Sequence, residues 1–221
     1  RIILHDILIN KMIKDDYLIK LEETTLNYLS SVVKPVILEF GVRHGQSTEF
    51  FLNICEKNNG FLYSVDIDNS SKKFDSEKWK FIHGRDDNFK LVESYIPKKI
   101  DLIYIDSFHD AEHVAKIFFH YYPFLKDNGC LIIDDVSWLP YSKKNERDNF
   151  NSEINNHETF FKILDIYNNN TKNFDLSFNF KSSGMAKIIK KNEKNLLISK
   201  KVIIRKFTLK NIIRKIVKSF N

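Results

Sequence analysis

The stretch Val36-Ile37-Leu38-Glu39-Phe40-Gly41-Val42-Arg43-His44-Gly45-Gln46-Ser47 decides how the chain reads. Pro35 precedes it, and the short apolar run that opens it has the pattern of a buried strand. The run ends in Glu39-x-Gly41-x-x-x-Gly45, and Ser47-Thr48-Glu49 begins a helical pattern over residues 47–56. Gly41 permits a sharp turn and a close approach of backbone to a ligand, because no Cβ stands in the way. Ser47 or Thr48 is placed to cap the helix. A strand, a glycine turn and a helix start is where open α/β sheets bind nucleotides, at the carboxyl ends of their strands. An ordinary strand-to-helix turn uses the same residues, so the rest of the chain must supply the distinction.

Working outward, residues 1–31 carry helical spacing in two runs, the second through Tyr17, Leu18, Leu21, Thr25 and Leu29. Phe61-Leu62-Tyr63-Ser64-Val65-Asp66 reads as a second strand, ending in an acid placed to accept from ribose hydroxyls. Trp79 to Gly84 is a third strand. Asp86 follows it, in position to accept from the exocyclic amine of a base, and a helix covers residues 88–95. A fourth strand runs from Ile100 to Asp106, with Ser107-Phe108-His109-Asp110 leaving its end. A long helical pattern covers residues 111–122. Cys130-Leu131-Ile132-Ile133-Asp134-Asp135 is a fifth strand, again ending in acids. Residues 137–157 are polar, asparagine-rich and patternless, as in a lid or a disordered loop. Residues 160–167 are helical, and residues 173–180 and 185–190 form a hairpin.

Five successive strands with helices between them imply a parallel sheet with all its carboxyl ends on one edge. Asp106, Asp134 and Asp135 would meet there, and three carboxylates in one place repel each other unless a positive charge sits among them. A hard divalent cation, Mg²⁺ or Mn²⁺, takes oxygen ligands of this kind and lowers the pKa of a bound hydroxyl. His109, on the first turn of the next helix, is placed to take the hydroxyl proton, since imidazole titrates near neutrality. Taken singly, an acid after a strand is more often a helix cap. The doubled acid Asp134-Asp135 is what separates the two readings. His113, one turn beyond His109, reads as a structural histidine.

These motifs resemble the class I S-adenosylmethionine-dependent methyltransferases. The narrower resemblance is to the metal-dependent O-methyltransferase group, with the macrocin O-methyltransferases and cephalosporin-hydroxylase-like proteins. It covers about residues 35–190 and rests on the first stretch, on Ser64-Val65-Asp66-Ile67-Asp68, on Tyr104-Ile105-Asp106-Ser107-Phe108-His109, and on Asp127 to Asp135. It implies a Rossmann-like three-layer sandwich with a mostly parallel seven-stranded sheet and an antiparallel C-terminal strand. Glu39, Gly41, Gly45 and Ser47 would then hold the methionine part of S-adenosylmethionine, Asp66 the ribose and Asp86 the adenine. Asp106, Asp134 and Asp135 would bind the metal, and His109 and Asp106 would be catalytic. Arg43 and His44 are bulkier than the small residues common in that turn. The implied activity is O-methyl transfer to a sugar or other small polar acceptor. The alternatives are an RNA methyltransferase and a non-catalytic S-adenosylmethionine-binding domain. The missing Asn/Asp-Pro-Pro-Tyr signature counts against methylation of base amines, and the Gly41-x-x-x-Gly45 spacing against an NAD-dependent dehydrogenase.

The 221 residues divide on this reading into N-terminal helices (1–34), a methyltransferase domain (35–191) and a basic tail (192–221). Net charge is +6, but residues 187–221 hold 12 Lys+Arg against Glu193 alone, which leaves −5 on residues 1–186. In the tail, Leu209, Ile212, Ile213, Ile216, Val217 and Phe220 share one helical face, with Lys210, Arg214, Lys215 and Lys218 elsewhere. Such a helix suits an anionic membrane surface, the body of the protein or a second copy of the chain. RNA is disfavoured because no aromatic stacking pattern accompanies the cations. Cys55 and Cys130 sit in apolar patterns as reduced thiols, which fits a cytoplasmic protein, peripheral to a membrane if the tail binds one. No apolar run approaches the roughly 20 residues of a membrane span.

Overall fold

A computed structural model describes residues 16–70, 73–137, 150–198 and 209–218. Its elements in chain order are α1 (Asp16–Leu29), β1 (Val36–Phe40), α2 (Gln46–Lys57), β2 (Phe61–Asp66), β3 (Trp79–His83), α3 (Phe89–Glu93), β4 (Ile100–Ile105), α4 (Ala111–Tyr121), β5 (Leu125–Asp134), α5 (Phe150–Asn170), β6 (Phe174–Asn179), β7 (Met185–Lys190) and α6 (Leu209–Lys218). The seven strands form one sheet in the order β3-β2-β1-β4-β5-β7-β6. β1, β2, β3, β4 and β5 pair in parallel. β7 lies antiparallel between β5 and β6.

Every residue of β4 is buried, as expected of a parallel strand covered on both faces. Alternation along the strands splits the core in two. Leu38, Phe40, Ile103, Ile105 and Ile133 face the layer of α3, α4 and α5, where Val92, Phe118, Ile163 and Ile166 meet them. Ile37, Leu62, Leu102, Tyr104 and Ile132 face α1 and α2, against Leu21, Leu29, Phe51 and Cys55. The expected three-layer architecture is therefore what the chain adopts.

Some local expectations differ from the structure. The first N-terminal helix lies outside the described residues. Residues 150–157, read as loop, belong to α5, which begins at Phe150. Their asparagines have low helix propensity, and tertiary contact overrides it: Asn156 and Thr159 are buried on the body, with Asn156 Nδ2 donating to the Ser137 carbonyl at 2.9 Å. β5 starts five residues early, at Leu125, which pairs with Ile100 before an irregularity shifts the register to Leu102–Cys130. Gly45, not Ser47 or Thr48, is the N-cap of α2, with φ +86° and no side-chain cap bond.

Gly41 fixes how closely β1 and β4 end together. Its φ is +96°, and a Cβ there would fall 2.0 Å from the Asp106 carbonyl oxygen. Gly41→Ala should therefore combine backbone strain with a backbone clash and cost about 3 kcal/mol or more; urea denaturation measures it, and a loss under 1 kcal/mol would contradict the close approach.

Candidate active site

Asp66, Glu39 with its glycine turn, Asp106 and the Asp134-Asp135 pair come off β2, β1, β4 and β5. These are four adjacent strands, and their carboxyl ends lie on one edge spanning about 14 Å at the usual strand spacing.

Glu39 lies beneath the turn and is fully buried. Ser47 Oγ donates to its Oε1 at 2.5 Å, while Thr48 Oγ1 and Ser64 Oγ donate to its Oε2 at 2.8 and 2.6 Å. Trp79 Nε1 donates in turn to Ser64 Oγ at 3.0 Å. Burial pushes the Glu39 carboxyl up to about 7, against the pull of the three hydroxyls. Glu39 and Ser47 thus point into the protein and tie α2 to β1. Asp66 stands at the other side of the turn and is half-buried. Its Oδ2 accepts from the amides of Val42 and Arg43 at 2.6 and 3.0 Å, and its Oδ1 from the Asp68 amide at 2.9 Å. Burial opposes its charge, but these amide bonds prevail and hold the carboxyl below its ordinary value.

Asp106, His109 and Asp135 gather at the far end of the edge. One donor atom from each lies within 4.8 Å of the others. His109 Nε2 is 3.6 Å from Asp106 Oδ1 and 3.3 Å from Asp135 Oδ2. Adjacent ligands of one octahedral ion with bonds near 2.1 Å lie about 3.0 Å apart, so the cluster is compact enough for an ion on its two carboxylates, with His109 beside it either as a third ligand or as a proton acceptor. Burial, then the charges of Asp134 and Asp135, raise the Asp106 carboxyl well above the usual carboxylate range, with Lys20 acting in the opposite sense.

Asp134 is outside that group, although the sequence placed it among the ligands. It is 2% exposed. Lys20 pairs with its Oδ1, which also accepts from the Asp135 amide at 2.7 Å; Tyr104 Oη donates to its Oδ2 at 2.8 Å. Asp135, with φ +57°, turns the other way, a left-handed conformation that aspartate tolerates. Asp86 is also engaged: its Oδ2 lies 2.5 Å from Ser107 Oγ and 2.8 Å from His113 Nε2. His113 is structural in that sense, anchoring Asp86 beside the residue that follows Asp106.

Sequence reasoning missed three residues here, Tyr17, Lys20 and Tyr104. The fully buried Lys20 lies between Asp134 and Ser183 Oγ, the latter at 2.7 Å. Tyr17 Oη is 2.9 Å from Tyr104 Oη and 3.1 Å from Asp106 Oδ2. Burial, then the charges of Asp106 and Asp134, raise both phenols far above their ordinary pKa, so both stay protonated. The available signal was the spacing Tyr17, Lys20, Leu21, Thr24, a stripe of one helical face with a lysine inside it.

A seven-stranded sheet in this order, with a glycine turn after β1 and acids after β2, β4 and β5, is a Rossmann-like three-layer sandwich. Residues 38–136, somewhat under half of the chain, match the family model described as a methyltransferase domain. No curated protein matches the sequence. Solved structures do. A candidate caffeoyl-CoA O-methyltransferase from Staphylococcus aureus is 20% identical, with a TM-score of 0.57 over 86% of this chain and 90% of that one. The Podospora anserina methyltransferase PaMTH1, bound to SAH, is 15% identical, with a TM-score of 0.60 over 76% of each chain. The MycE methyltransferase of the mycinamycin biosynthetic pathway, in complex with Mg and SAH, is 20% identical, with a TM-score of 0.55 over 80% of this chain and 50% of that one. At these identities the likeness is one of fold.

Two outcomes follow from the buried charges. An acid whose folded pKa exceeds its unfolded one binds protons on folding. The contribution of Glu39 should therefore favour the folded state most below the ordinary value of 4.5 and decline as pH rises through about 7. Thermal unfolding of Glu39→Gln should show a weaker loss of stability across that window than the parent, and parallel curves would contradict the assignment. Lys20→Met leaves Asp134 buried without its partner and should cost about 3–5 kcal/mol. Combining it with Asp134→Asn should recover much of that in denaturant titrations, whereas simple additivity would mean that the pair is not coupled.

Proposed function

We propose that the protein transfers a methyl group from S-adenosylmethionine to a hydroxyl oxygen of a small polar acceptor, a sugar being the favoured class, with a divalent ion, Mg²⁺ or Mn²⁺, at Asp106 and Asp135. The observation that carries this reading is the cluster of Asp106, His109 and Asp135 on the same sheet edge as the glycine turn. Mg and SAH together in MycE, a protein of similar fold, support it.

Bound S-adenosylmethionine would supply the methyl group on its sulfonium, and the ion would lower the pKa of the acceptor hydroxyl. The chain's own residues do the remainder. The turn 41–45, braced from below by Glu39 and Ser47, receives the methionine part. Asp66 receives the ribose, and Asp86, through Oδ1, the adenine. His109 Nε2 takes the hydroxyl proton. Asp134 acts from beneath: its pairing with Lys20 holds the end of β5, so that Asp135 is presented to the ion.

Calorimetry should show S-adenosylhomocysteine binding that Asp66→Ala weakens roughly tenfold or more, as expected for a lost charge-assisted hydrogen bond pair. Titration with Mn²⁺, followed by its paramagnetic resonance, should show binding lost in Asp135→Asn and retained in His109→Ala. On a panel of sugar acceptors both variants should lose turnover. Full activity in chelator would refute the ion, loss of Mn²⁺ in His109→Ala would make His109 a ligand instead of the base, and absence of S-adenosylhomocysteine binding would refute the reading as a whole.

A further inference from the structure

Helix α6 has no place in the site described above, and its sequence is unusually ordered. At the 100° per residue of an α-helix, positions 209, 212, 213, 216 and 217 fall in one arc of about 140°, and positions 210, 211, 214, 215 and 218 in an opposite arc of about 140°. All five positions of the first arc are Leu, Ile or Val. The second arc holds Lys210, Asn211, Arg214, Lys215 and Lys218, four cations and no acid. The five apolar side chains are 44–79% exposed, so each presents much of its surface to solvent.

Charge and size decide between the occupants of such a face. After Glu193 the chain carries nine Lys+Arg and no acid. A second copy of α6 would bring like charges together. Ten residues make a helix about 15 Å long, too short for the roughly 800 Å² per partner of a stable interface. RNA would satisfy the cations and leave the apolar arc in water. An anionic lipid bilayer satisfies both arcs at once: the apolar arc enters the acyl boundary and the cations meet the headgroups. The segregation also fits a helix lying in the surface plane, since no helix among the described residues is long and apolar enough to cross a membrane.

We infer that α6 docks the protein on an anionic membrane surface. Ahead of α6, Leu197 is held on the body, its amide donating to Asn170 Oδ1 at 2.8 Å. Asn170 precedes β6, whose first residue, Phe174, pairs with Lys190 at the end of β7. That end of β7 lies away from the acid end of β5: Ile189 pairs with Cys130, in the middle of β5, whereas Met185 pairs with Asp134. Leu197, the anchor that precedes the tail, therefore lies toward the edge of the sheet opposite the acids. The same surface repels the mildly acidic body, residues 1–186 carrying −5, so the attraction is confined to the tail.

The test is co-sedimentation of the full chain with large vesicles of phosphatidylcholine, with and without about 30% phosphatidylglycerol, at about 0.1 M salt. Binding to the anionic vesicles should exceed binding to the neutral ones roughly tenfold or more, given four cations near the surface. Ile213→Asp and Ile216→Asp should each reduce it to the neutral level while S-adenosylhomocysteine affinity stays at that of the parent, which separates failure of the anchor from failure of the site. Equal binding to both vesicle types would overturn the inference. So would vesicle binding unchanged in the two variants, a dimer that the variants convert to monomer without any vesicle binding, or tight binding of an RNA oligonucleotide that the variants retain.

Discussion

Carboxylates crowded at the end of a buried sheet must be separated or neutralised, and the half of the molecule around the site is shaped by that repulsion. Asp106, Asp134 and Asp135 leave two neighbouring strands. Asp134 is taken inward by Lys20 and Tyr104, while Asp135 turns outward toward Asp106 and His109. A lysine with no exposure is costly unless it is paired. Here its partner comes from β5 and its second bond from Ser183 in the hairpin between β6 and β7. One ammonium therefore joins α1, the parallel part of the sheet and its antiparallel end.

A second buried acid organises the other end of the edge. Glu39 collects hydroxyls from β2 and from the first turn of α2, so the glycine turn is gripped from beneath by a side chain that never reaches solvent. Asp66 grips the same turn from the side, through the amides of Val42 and Arg43. Gly41 lies between these holds, where nothing larger fits beside the Asp106 carbonyl. The glycine turn is thus held from beneath and from the side by the protein's own groups, and such preorganisation is what makes a binding loop effective.

Much of this was legible in the residues. Pro35, Gly41 and Gly60 punctuate β1 and β2, and the apolar runs between them matched the strands residue for residue. The acids at strand ends were visible because a parallel sheet gives its carboxyl ends a common edge. The early part of α5 was not legible, because asparagines at 151, 155 and 156 mask a helix that packing imposes. The start of β5 at Leu125 was hidden by Asp127-Asn128-Gly129, which reads as a turn and instead forms an irregularity within the strand.

The sequence by itself determined the strands, the glycine turn and which acids would share an edge, since periodicity and punctuation are local properties of a chain. It could not determine which way each acid faces. That depended on the left-handed backbone of Asp135 and on a lysine from a helix more than a hundred residues away. Desolvated charges choose their partners by proximity in space, and proximity across such a separation exists only once the layers have packed.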